Sequence, residues 1–357
     1  MKGVSKFPEY DNHELISYFN DAKTGLRGFI AIHNTNLGPA TGGTRYFPYR
    51  SEEEALRDVL KLSRAMTYKC ALANVPYGGG KAVIIANPKI KKSEKFLAAY
   101  ANRINLFNGK FTTGEDVGID VEDIDFLSSK SKFIFGRSNV AGDLGPWAAL
   151  GVFYSIKASL EFIFKNSDFE NRSFAIKGLG KVGYDLLNLI CESGGRKIFV
   201  ADINASTLKK AKNKFPEIKI VSPSSIHKQK VDVYAPCAMG GDFNQKNIKD
   251  LRCKIICGGA NNQLENNEVE SGIHKLGITY VPDYLANAGG MINVLAEHNK
   301  SGYKIGWVKN KCKEIEITTR EILSRALRSG KPPLLVADLI AENRFNKSNL
   351  ESAKYLV

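Results

Sequence analysis

The spacing of apolar residues changes near residue 145 and divides the chain into two parts. In the first part, LRGFIAIH (26–33) alternates as a strand does, and AVIIA (82–86) predicts a short strand. Residues 51–73 have helical spacing behind a capping box formed by Ser51 and Glu54. These mixed elements predict an α/β domain.

Beyond residue 145, short apolar strands recur at fairly even intervals, with helical segments between several of them. Such alternation of strand and helix, with strands apolar on both faces, predicts a parallel, doubly wound sheet. An apolar connecting helix over 149–164 precedes this region, and two more helices, about 303–329 and 334–356, follow it. The predicted strands are 174–178, 197–202, 231–236, 254–259 and 278–283.

Composition places the chain among soluble globular proteins of two domains. It has 357 residues, of which 43% are hydrophobic and 25% charged. No apolar run approaches the ~20 residues of a membrane helix, and the first residues contain no apolar signal region. We therefore expect a cytoplasmic protein that is not inserted in a membrane.

The net charge of +14 raises nucleic-acid binding as a hypothesis. The lysines, however, are spread along the chain, and no nucleic-acid-binding motif is present, so we interpret the charge as a surface property. The five histidines show no ligand spacing, and the six cysteines form no C-x-x-C pair. We therefore assign no metal site.

A cofactor-binding motif lies in FAIKGLGKVGYDLLNLI (174–190), where G-x-G-x-x-G follows a predicted strand and opens an apolar helix. Gly178 allows a tight turn, Gly180 lets a pyrophosphate approach the backbone, and Gly183 allows close packing of helix on strand. Asp202, at the end of the next strand, can accept hydrogen bonds from ribose hydroxyls and would repel a 2′-phosphate. NAD is therefore favoured over NADP. The predicted cofactor loop also contains Leu179, Lys181 and Val182.

A lysine preceded by three glycines, in PYGGGKAVI (76–84), is the candidate catalytic group. A P-loop would require glycine at 75 and Ser or Thr at 82, but the chain has Val75 and Ala82. Glycines allow close approach of another backbone or a ligand. An ammonium desolvated among them would have a lowered pKa, which suits Lys81 to act as a base.

Two more charged residues have the right chemistry to complete this site. Lys69 lies near the end of the first predicted helix, and Asp116 lies in the polar loop FTTGEDVGID. Two cations and one carboxylate suit a substrate that carries a carboxylate and an amino group. Spacing alone does not show whether Lys69, Lys81 and Asp116 converge.

Taken together, these motifs resemble the glutamate/leucine/phenylalanine/valine dehydrogenase superfamily, and most closely its leucine- and phenylalanine-specific members. The resemblance covers nearly the whole chain in order. The motifs that carry it are GPATGGTRYF (38–47), residues 51–73, PYGGGK, TTGEDVG (112–118), KGLGKVG, APCAMGG (235–241), GGANNQL (258–264) and PDYLANAGGMINV (282–294).

The resemblance implies two domains separated by a deep cleft. Residues 1–145, joined by the C-terminal helix of about 334–357, would bind substrate and mediate oligomerisation. Residues 146–333 would form a Rossmann-type NAD domain. The implied activity is reversible, NAD-dependent oxidative deamination of an L-amino acid to its 2-oxoacid and ammonium. A homo-oligomer, from dimer to octamer, is expected.

Individual positions take roles from the same resemblance. Lys81 matches the catalytic lysine that activates water, Asp116 the proton-shuttling aspartate, and Lys69 the lysine that binds the α-carboxylate. Asn261 matches an asparagine beside the substrate and the nicotinamide ribose. Backbone that lines the substrate pocket is matched by Gly42 and Gly43, and a loop over the cofactor by Cys237 and Ala238.

The expected side-chain pocket is apolar. Glutamate-specific relatives carry lysine at the position of Thr41 and serine at that of Val294, so glutamate is not the expected substrate. Gly114 is shared with phenylalanine enzymes and enlarges the pocket, and Met291 forms another wall. Branched-chain and aromatic substrates both stay open.

One segment departs from the family pattern. In DLGPWAALGV (143–152), Ala148 stands where relatives carry a hydroxyl residue that contacts the nicotinamide amide, with Trp147 beside it. This change and the charge of +14 support an alternative hypothesis, a non-catalytic protein that binds nucleic acid on a dehydrogenase scaffold.

Overall fold

A computed structural model describes residues 3–87, 89–90, 92–299 and 301–347. The chain forms two compact units. The first contains the chain up to Asp143, Val294–Lys304 and the chain from Ala341 onward. The second contains Leu144–Asn293 and Ile305–Ile340.

The first unit is built on a mixed six-stranded sheet in the order β1-β2-β5-β3-β6, with β4 also paired to β5. The pairs β1–β2 and β2–β5 are antiparallel, and the pairs of β3 and β4 with β5, and of β3 with β6, are parallel. Its elements are β1 (Leu15–Asp21), β2 (Leu26–Asn34), β3 (Ala40–Thr41), β4 (Thr44–Phe47), α1 (Glu52–Leu72), β5 (Gly78–Ile85), α2 (Glu94–Asn105), β6 (Phe111–Thr112) and α3 (Val121–Lys130).

Helix α1 begins where the sequence predicts, because the Ser51 hydroxyl accepts the N–H of Glu54 at 3.0 Å. The second half of the predicted capping box differs. The Glu54 carboxylate accepts the backbone N–H of Arg50 at 2.7 Å, one residue before the expected partner.

The three glycines before Lys81 lie inside strand β5, so the prediction that the strand starts only at residue 82 is wrong. All eight residues of β5 are buried. A Cβ on Gly79 would lie 2.1 Å from the backbone nitrogen of Thr67 in α1, and one on Gly78 would lie 2.0 Å from the carbonyl of Asn34. Gly79 therefore allows α1 to pack directly on the strand backbone, and Gly78 allows the close approach of the end of β2.

Alternation along β5 places Lys81 on the sheet face that α1 covers. Val83 and Ile85, at the same parity as Lys81, pack with Val59 and Leu60 of α1. Side chains of the opposite parity pack on the other face, against α2 and α3. Because strand side chains alternate with a period of two, Lys81 and α1 occupy the same side of the sheet.

The second unit contains a parallel six-stranded sheet in the order β12-β11-β10-β7-β8-β9. Strand β9 is absent from the strands predicted from sequence, since it has only two residues and both are exposed. The strands are β7 (Ser173–Lys177), β8 (Lys197–Ala201), β9 (Lys219–Ile220), β10 (Val233–Pro236), β11 (Ile255–Ile256) and β12 (Thr279–Tyr280).

The strand order reverses direction between β7 and β10, the two central strands, which makes the crevice between their ends the topological switch point of a Rossmann fold. In open parallel sheets, ligands bind at the carboxyl ends of the strands at such a point. The helices are α4 (Gly145–Phe164), α5 (Lys181–Glu192), α6 (Ala205–Lys214), α7 (Asn267–Lys275), α8 (Asp283–Ala286), α9 (Gly289–Leu295), α10 (Ile305–Ser329) and α11 (Pro333–Lys347).

Helix α4 begins at Gly145, four residues before the predicted helix of 149–164. It has 20 residues, and an 18-residue window within it has a mean hydropathy of 1.3, so its length and composition are sufficient for a membrane span. Val152, Ile156 and Leu160 of this helix lie in the core of the second unit, and half of the apolar window is buried. A core helix passes the same test of length and composition.

Helix α11 contributes residues to both units, with the division between Ile340 and Ala341. In the first unit, Glu342 accepts a hydrogen bond from the Tyr68 hydroxyl at 2.8 Å, and Arg344 donates to the carbonyl of Ala71 at 3.0 Å. The final part of the predicted C-terminal helix, 348–357, lies outside the described residues.

Candidate active site

In the first unit, Lys81 and Asp116 form an ion pair. The Lys81 Nζ lies 3.2 Å from Asp116 Oδ2, and the lysine side chain is only 7% exposed. Burial alone would raise the pKa of Asp116, but Lys81 and Arg45 outweigh it, so this pKa lies below its ordinary value of 3.8. The structure thus brings together two of the three charged groups singled out from the sequence.

Arg45 is a partner of Asp116 that the sequence reading missed. Its Nε donates to Asp116 Oδ2 at 3.0 Å, and its Nη1 donates to Asp58 at 3.0 Å. The Tyr49 hydroxyl also donates to Asp58, at 2.5 Å. Two cations and two carboxylates therefore form one connected cluster around the Lys81–Asp116 pair. The sequence feature that could have indicated Arg45 is its position two residues after the Gly42–Gly43 pair.

Gly42 and Gly43 lie against the backbone around this pair. A Cβ on Gly42 would lie 1.9 Å from the carbonyl oxygen of Gly80, and one on Gly43 would lie 3.0 Å from the Cβ of Asp116. No side chain larger than hydrogen fits at either position without movement of the backbone. The adjoining Thr41 pairs with Gly79 and is buried.

Lys69 lies on the helix that covers the same side of the sheet as Lys81. Met66, three residues earlier on α1, has its Cγ 3.1 Å from the position of a Cβ on Gly42. Residues three apart share a helix face, so Lys69 lies on the face that approaches Gly42. Its side chain is half-buried.

Gly114 and Val294 are neighbours in the first unit. A Cβ on Gly114 would lie 3.9 Å from a Val294 methyl group but only 2.8 Å from the carbonyl oxygen of Phe135. Thr113, the preceding residue, forms a parallel bridge with Ile134. Close approach of these two segments therefore gives a second reason for glycine at 114, besides the space it leaves beside Val294.

The cofactor-binding motif of the second unit has the geometry expected of each glycine. Gly178 has φ +89°, which favours glycine. A Cβ on Gly180 would meet nothing within 4 Å, whereas one on Gly183 would lie 1.9 Å from the carbonyl of Gly178. Space is thus present where a phosphate would approach the backbone. Lys181 and Val182 form the first turn of α5, whose N-terminus offers N–H groups to an anion.

The side-chain carboxylate of Asp202 binds the backbone of the glycine loop. Its Oδ2 accepts the N–H of Leu179 at 2.5 Å, and its Oδ1 accepts the N–H of Asn204 at 2.7 Å. These contacts place the carboxylate at the carboxyl end of β8, beside the loop that follows β7. The residues present fit the binding of a dinucleotide.

Cys237 and Ala238 follow β10 and lie beside the same loop. The Cα of Ala238 is 2.8 Å from the position of a Cβ on Gly178, and the N–H of Cys237 donates to the carbonyl of Lys177 at 2.7 Å. The Cys237 thiol accepts the N–H of Gly259 at 3.4 Å, and burial raises its pKa to about 12. The thiol is therefore a packing group at the switch point.

Asn261 follows β11 and has an exposed side chain. Its Oδ1 accepts a hydrogen bond of 2.7 Å from Nδ2 of Asn287, a residue that sequence reasoning did not single out. Met291 lies on α9 and is half-buried. Ala148, in the first turn of α4, lies close to Gly290, since a Cβ on Gly290 would lie 3.8 Å from the Ala148 Cβ.

Comparison with known proteins matches both parts of the chain to one family. Residues 13–133 match the Glu/Leu/Phe/Val dehydrogenase dimerisation domain, and residues 202–331 match the Glutamate/Leucine/Phenylalanine/Valine dehydrogenase domain. Leucine dehydrogenase of Bacillus subtilis (strain 168) is 39% identical over 354 residues, which cover 98% of this chain and 96% of that protein. This chain belongs to the Glu/Leu/Phe/Val dehydrogenase family.

Other family members are similar over comparable lengths. Phenylalanine dehydrogenase of Bacillus thermotolerans is 42% identical over 304 residues, covering 83% of this chain and 79% of that protein. The crystal structure of L-tryptophan dehydrogenase from Nostoc punctiforme superimposes with a TM-score of 0.85 at 39% identity, covering 95% of this chain and 98% of that one. Family membership and the nucleotide-binding sheet together imply a nicotinamide cofactor.

Proposed function

We propose that this chain catalyses NAD-dependent, reversible oxidative deamination of an apolar, branched-chain or aromatic L-amino acid. The balanced reaction converts the amino acid, water and NAD⁺ into the 2-oxoacid, ammonium, NADH and a proton. The observation that carries the proposal is the Lys81–Asp116 pair, 3.2 Å apart on a sheet face lined by glycines.

Lys81 and Asp116 are the proposed catalytic residues. Lys81 activates the water that attacks the iminium carbon of the oxidised substrate. Asp116, within hydrogen-bond reach of the Lys81 ammonium, holds that ammonium in place and exchanges protons with it. Lys69 binds the substrate α-carboxylate, and the backbone at Gly42 and Gly43 leaves room for the substrate main chain. A bound nicotinamide ring would supply the hydride acceptor for oxidation at the substrate Cα.

The preference for NAD is proposed from Asp202. Its carboxylate accepts the N–H groups of Leu179 and Asn204 at the carboxyl end of β8, and in dinucleotide-binding folds an acidic residue at this position binds the adenosine ribose. A fixed anion there accepts hydrogen bonds from ribose hydroxyls and repels a 2′-phosphate. We expect kcat/KM to be much higher with NAD than with NADP. The substitution Asp202→Ala should lower the ratio of kcat/KM with NAD to kcat/KM with NADP. An NADP preference in the wild type would refute this assignment.

The apolar substrate class is proposed from the residues that the family pattern assigns to the side-chain pocket. Thr41, Gly114 and Val294 carry no charge, so a substrate carboxylate at the far end of the side chain would find no partner among them. The relatives named for leucine, phenylalanine, valine and tryptophan support the same substrate class. Overlap among substrates is expected, since one methylene changes discrimination by only about 1–3 kcal/mol.

A substrate panel tests this proposal directly. Purified protein with NAD and leucine, valine, isoleucine, phenylalanine, tryptophan or glutamate should produce NADH with at least one apolar amino acid. The reverse reaction, with the 2-oxoacid, ammonium and NADH, should consume NADH. Glutamate as the best substrate would contradict the proposed pocket. If no substrate led to production of NADH in one direction or its consumption in the other, the proposed activity would be contradicted.

We also propose a cytoplasmic homo-oligomer, between a dimer and an octamer, that needs no metal. The matched N-terminal family domain is described as a dimerisation domain, which supports self-association. Size-exclusion chromatography with light scattering measures the assembly. A monomer at micromolar concentration would refute the oligomer, and loss of activity in a chelator would refute the absence of a metal.

A further inference from the structure

The side-chain amide of Asn287 makes two hydrogen bonds that fix its orientation. Its Nδ2 donates to the backbone carbonyl of Gly259 at 3.2 Å and to Asn261 Oδ1 at 2.7 Å. A backbone carbonyl only accepts hydrogen bonds, so the Asn287 atom that faces Gly259 must be the nitrogen. The Asn261 atom that faces the same nitrogen must then be oxygen.

This polarity determines what Asn261 presents to a ligand. Because its Oδ1 is committed to Asn287, its Nδ2 is directed away from Asn287. Asn287 is only 6% exposed, whereas the Asn261 side chain is exposed. Asn261 therefore presents the two N–H donors of Nδ2 to its surroundings, and a group that meets Nδ2 is an acceptor.

Besides the Asn287–Gly259 hydrogen bond, Gln263 also holds the backbone of this loop. The Gln263 Nε2 donates to the carbonyls of Gly258 at 3.1 Å and Ala260 at 2.9 Å, and its N–H donates to Asp283 Oδ2 at 3.0 Å. The loop therefore has fixed contacts that do not involve Asn287. A change at Asn287 should act mainly on the orientation of the Asn261 amide.

We propose that Asn287 is a positioning residue, which holds the Asn261 amide so that its Nδ2 donates to an oxygen of the bound substrate or cofactor. This inference rests on the proposed function, since the ligand contact of Asn261 belongs to that function. The acceptor is either the substrate α-carboxylate or a ribose hydroxyl of the cofactor. A rise in KM for the amino acid indicates the first, and a rise in KM for NAD indicates the second.

A double-mutant cycle on the full chain tests the proposal. Asn287→Asp places a carboxylate oxygen against Asn261 Oδ1, so the Asn261 amide should turn over. We expect kcat/KM to fall about 10- to 100-fold, as for other lost hydrogen-bond partners in buried sites. Asn261→Ala should lower it at least as much, and the double variant should be no worse than Asn261→Ala alone.

The pH profile provides a second readout. A protonated carboxyl at position 287 can again donate to Asn261 Oδ1, so the activity of Asn287→Asp relative to wild type should rise as the pH falls. Asn247→Asp is the matched control, because the amide of Asn247 also donates to a backbone carbonyl, that of Asp242, at 2.7 Å. Its kcat/KM should stay at the wild-type value. If Asn287→Asp does not fold, Asn287→Ser, too short to reach Asn261, replaces it in the cycle.

Three outcomes separate the possible failures. Additive losses in the double variant would overturn the inference, because Asn287 would then act independently of Asn261. Wild-type kcat/KM in Asn261→Ala would also overturn it, while leaving the dehydrogenase activity intact. A wild-type protein without turnover on any amino acid would refute the proposed function itself.

Discussion

Replacement of Arg45 by methionine should raise the pH at which activity is lost on the acid side. Arg45 bridges Asp116 and Asp58 at 3.0 Å each, and all three side chains are only 23–24% exposed. Its removal takes one cation from both carboxylates and leaves Asp116 paired with the Lys81 ammonium. At about 4 Å and an effective dielectric constant of about 20, one such pair is worth about 4 kcal/mol before solvent and relaxation reduce it.

The net effect expected is therefore smaller. Loss of one cation should raise the pKa of Asp116 by about 1 to 2 pH units, which corresponds to about 1.4 to 3 kcal/mol. In the wild type this pKa is lowered, so its stabilising contribution is present above the ordinary value of 3.8 and is lost as the pH falls through the folded-state value. In Arg45→Met the same loss should begin at a higher pH.

Two assays measure this prediction. The acid limb of the kcat/KM profile should move upward in Arg45→Met, and urea denaturation at neutral pH should show a lower free energy of unfolding. Arg45→Lys is the control, because it keeps the charge but cannot bridge both carboxylates with one planar group. It should give a smaller change. An acid limb and a stability that both stay at the wild-type values in Arg45→Met would refute the electrostatic role assigned to this cluster.

Three further substitutions, one of them a control, test the packing of β5 and the departure from the family pattern at the first turn of α4. Gly79→Ala should destabilise the protein by about 3 kcal/mol or more in urea denaturation, because its Cβ would lie 2.1 Å from the Thr67 backbone nitrogen. Gly306→Ala on α10, where a Cβ meets nothing within 4 Å, should instead be neutral or stabilising by up to about 1 kcal/mol, and equal effects at the two sites would contradict this packing argument. Ala148→Thr should lower the KM for NAD, because it restores the hydroxyl group that relatives carry at this position. An unchanged or higher KM for NAD would show that the missing hydroxyl group does not weaken NAD binding.

Much of the architecture was predictable, because the spacing of apolar residues along the chain indicates which faces of its helices and strands are buried. The strand-and-helix alternation after residue 145 appears as the parallel sheet, and residues 51–73 appear as α1. The sequence does not predict residues 78–80 as part of the strand, because glycine is a weak strand former. The structure explains these glycines by close contacts, such as that of α1 with Gly79 and that of Phe111 with Gly80. Strand β9 has two exposed residues and thus no apolar pattern to detect.

The pairing of side chains at the site was less accessible to sequence reasoning. Lys81 and Asp116 were singled out by residue type, but their contact joins positions 35 residues apart and depends on how β5 meets the following loop. Arg45 lies 71 residues from its partner Asp116. Asn287 and Asn261 stand in two recognised motifs, yet the hydrogen bond between them appears only once the sheet is folded.

The role of Lys81 is the central claim, and one comparison tests it most directly. Turnover of Lys81→Ala is measured with NAD and the best amino acid of the substrate panel, and NADH binding to the same variant is measured by fluorescence. We predict that turnover is abolished while NADH binds with wild-type affinity, since the glycine loop and Asp202 belong to the other unit of the chain. A Lys81→Ala protein that turns over at the wild-type rate would contradict the account.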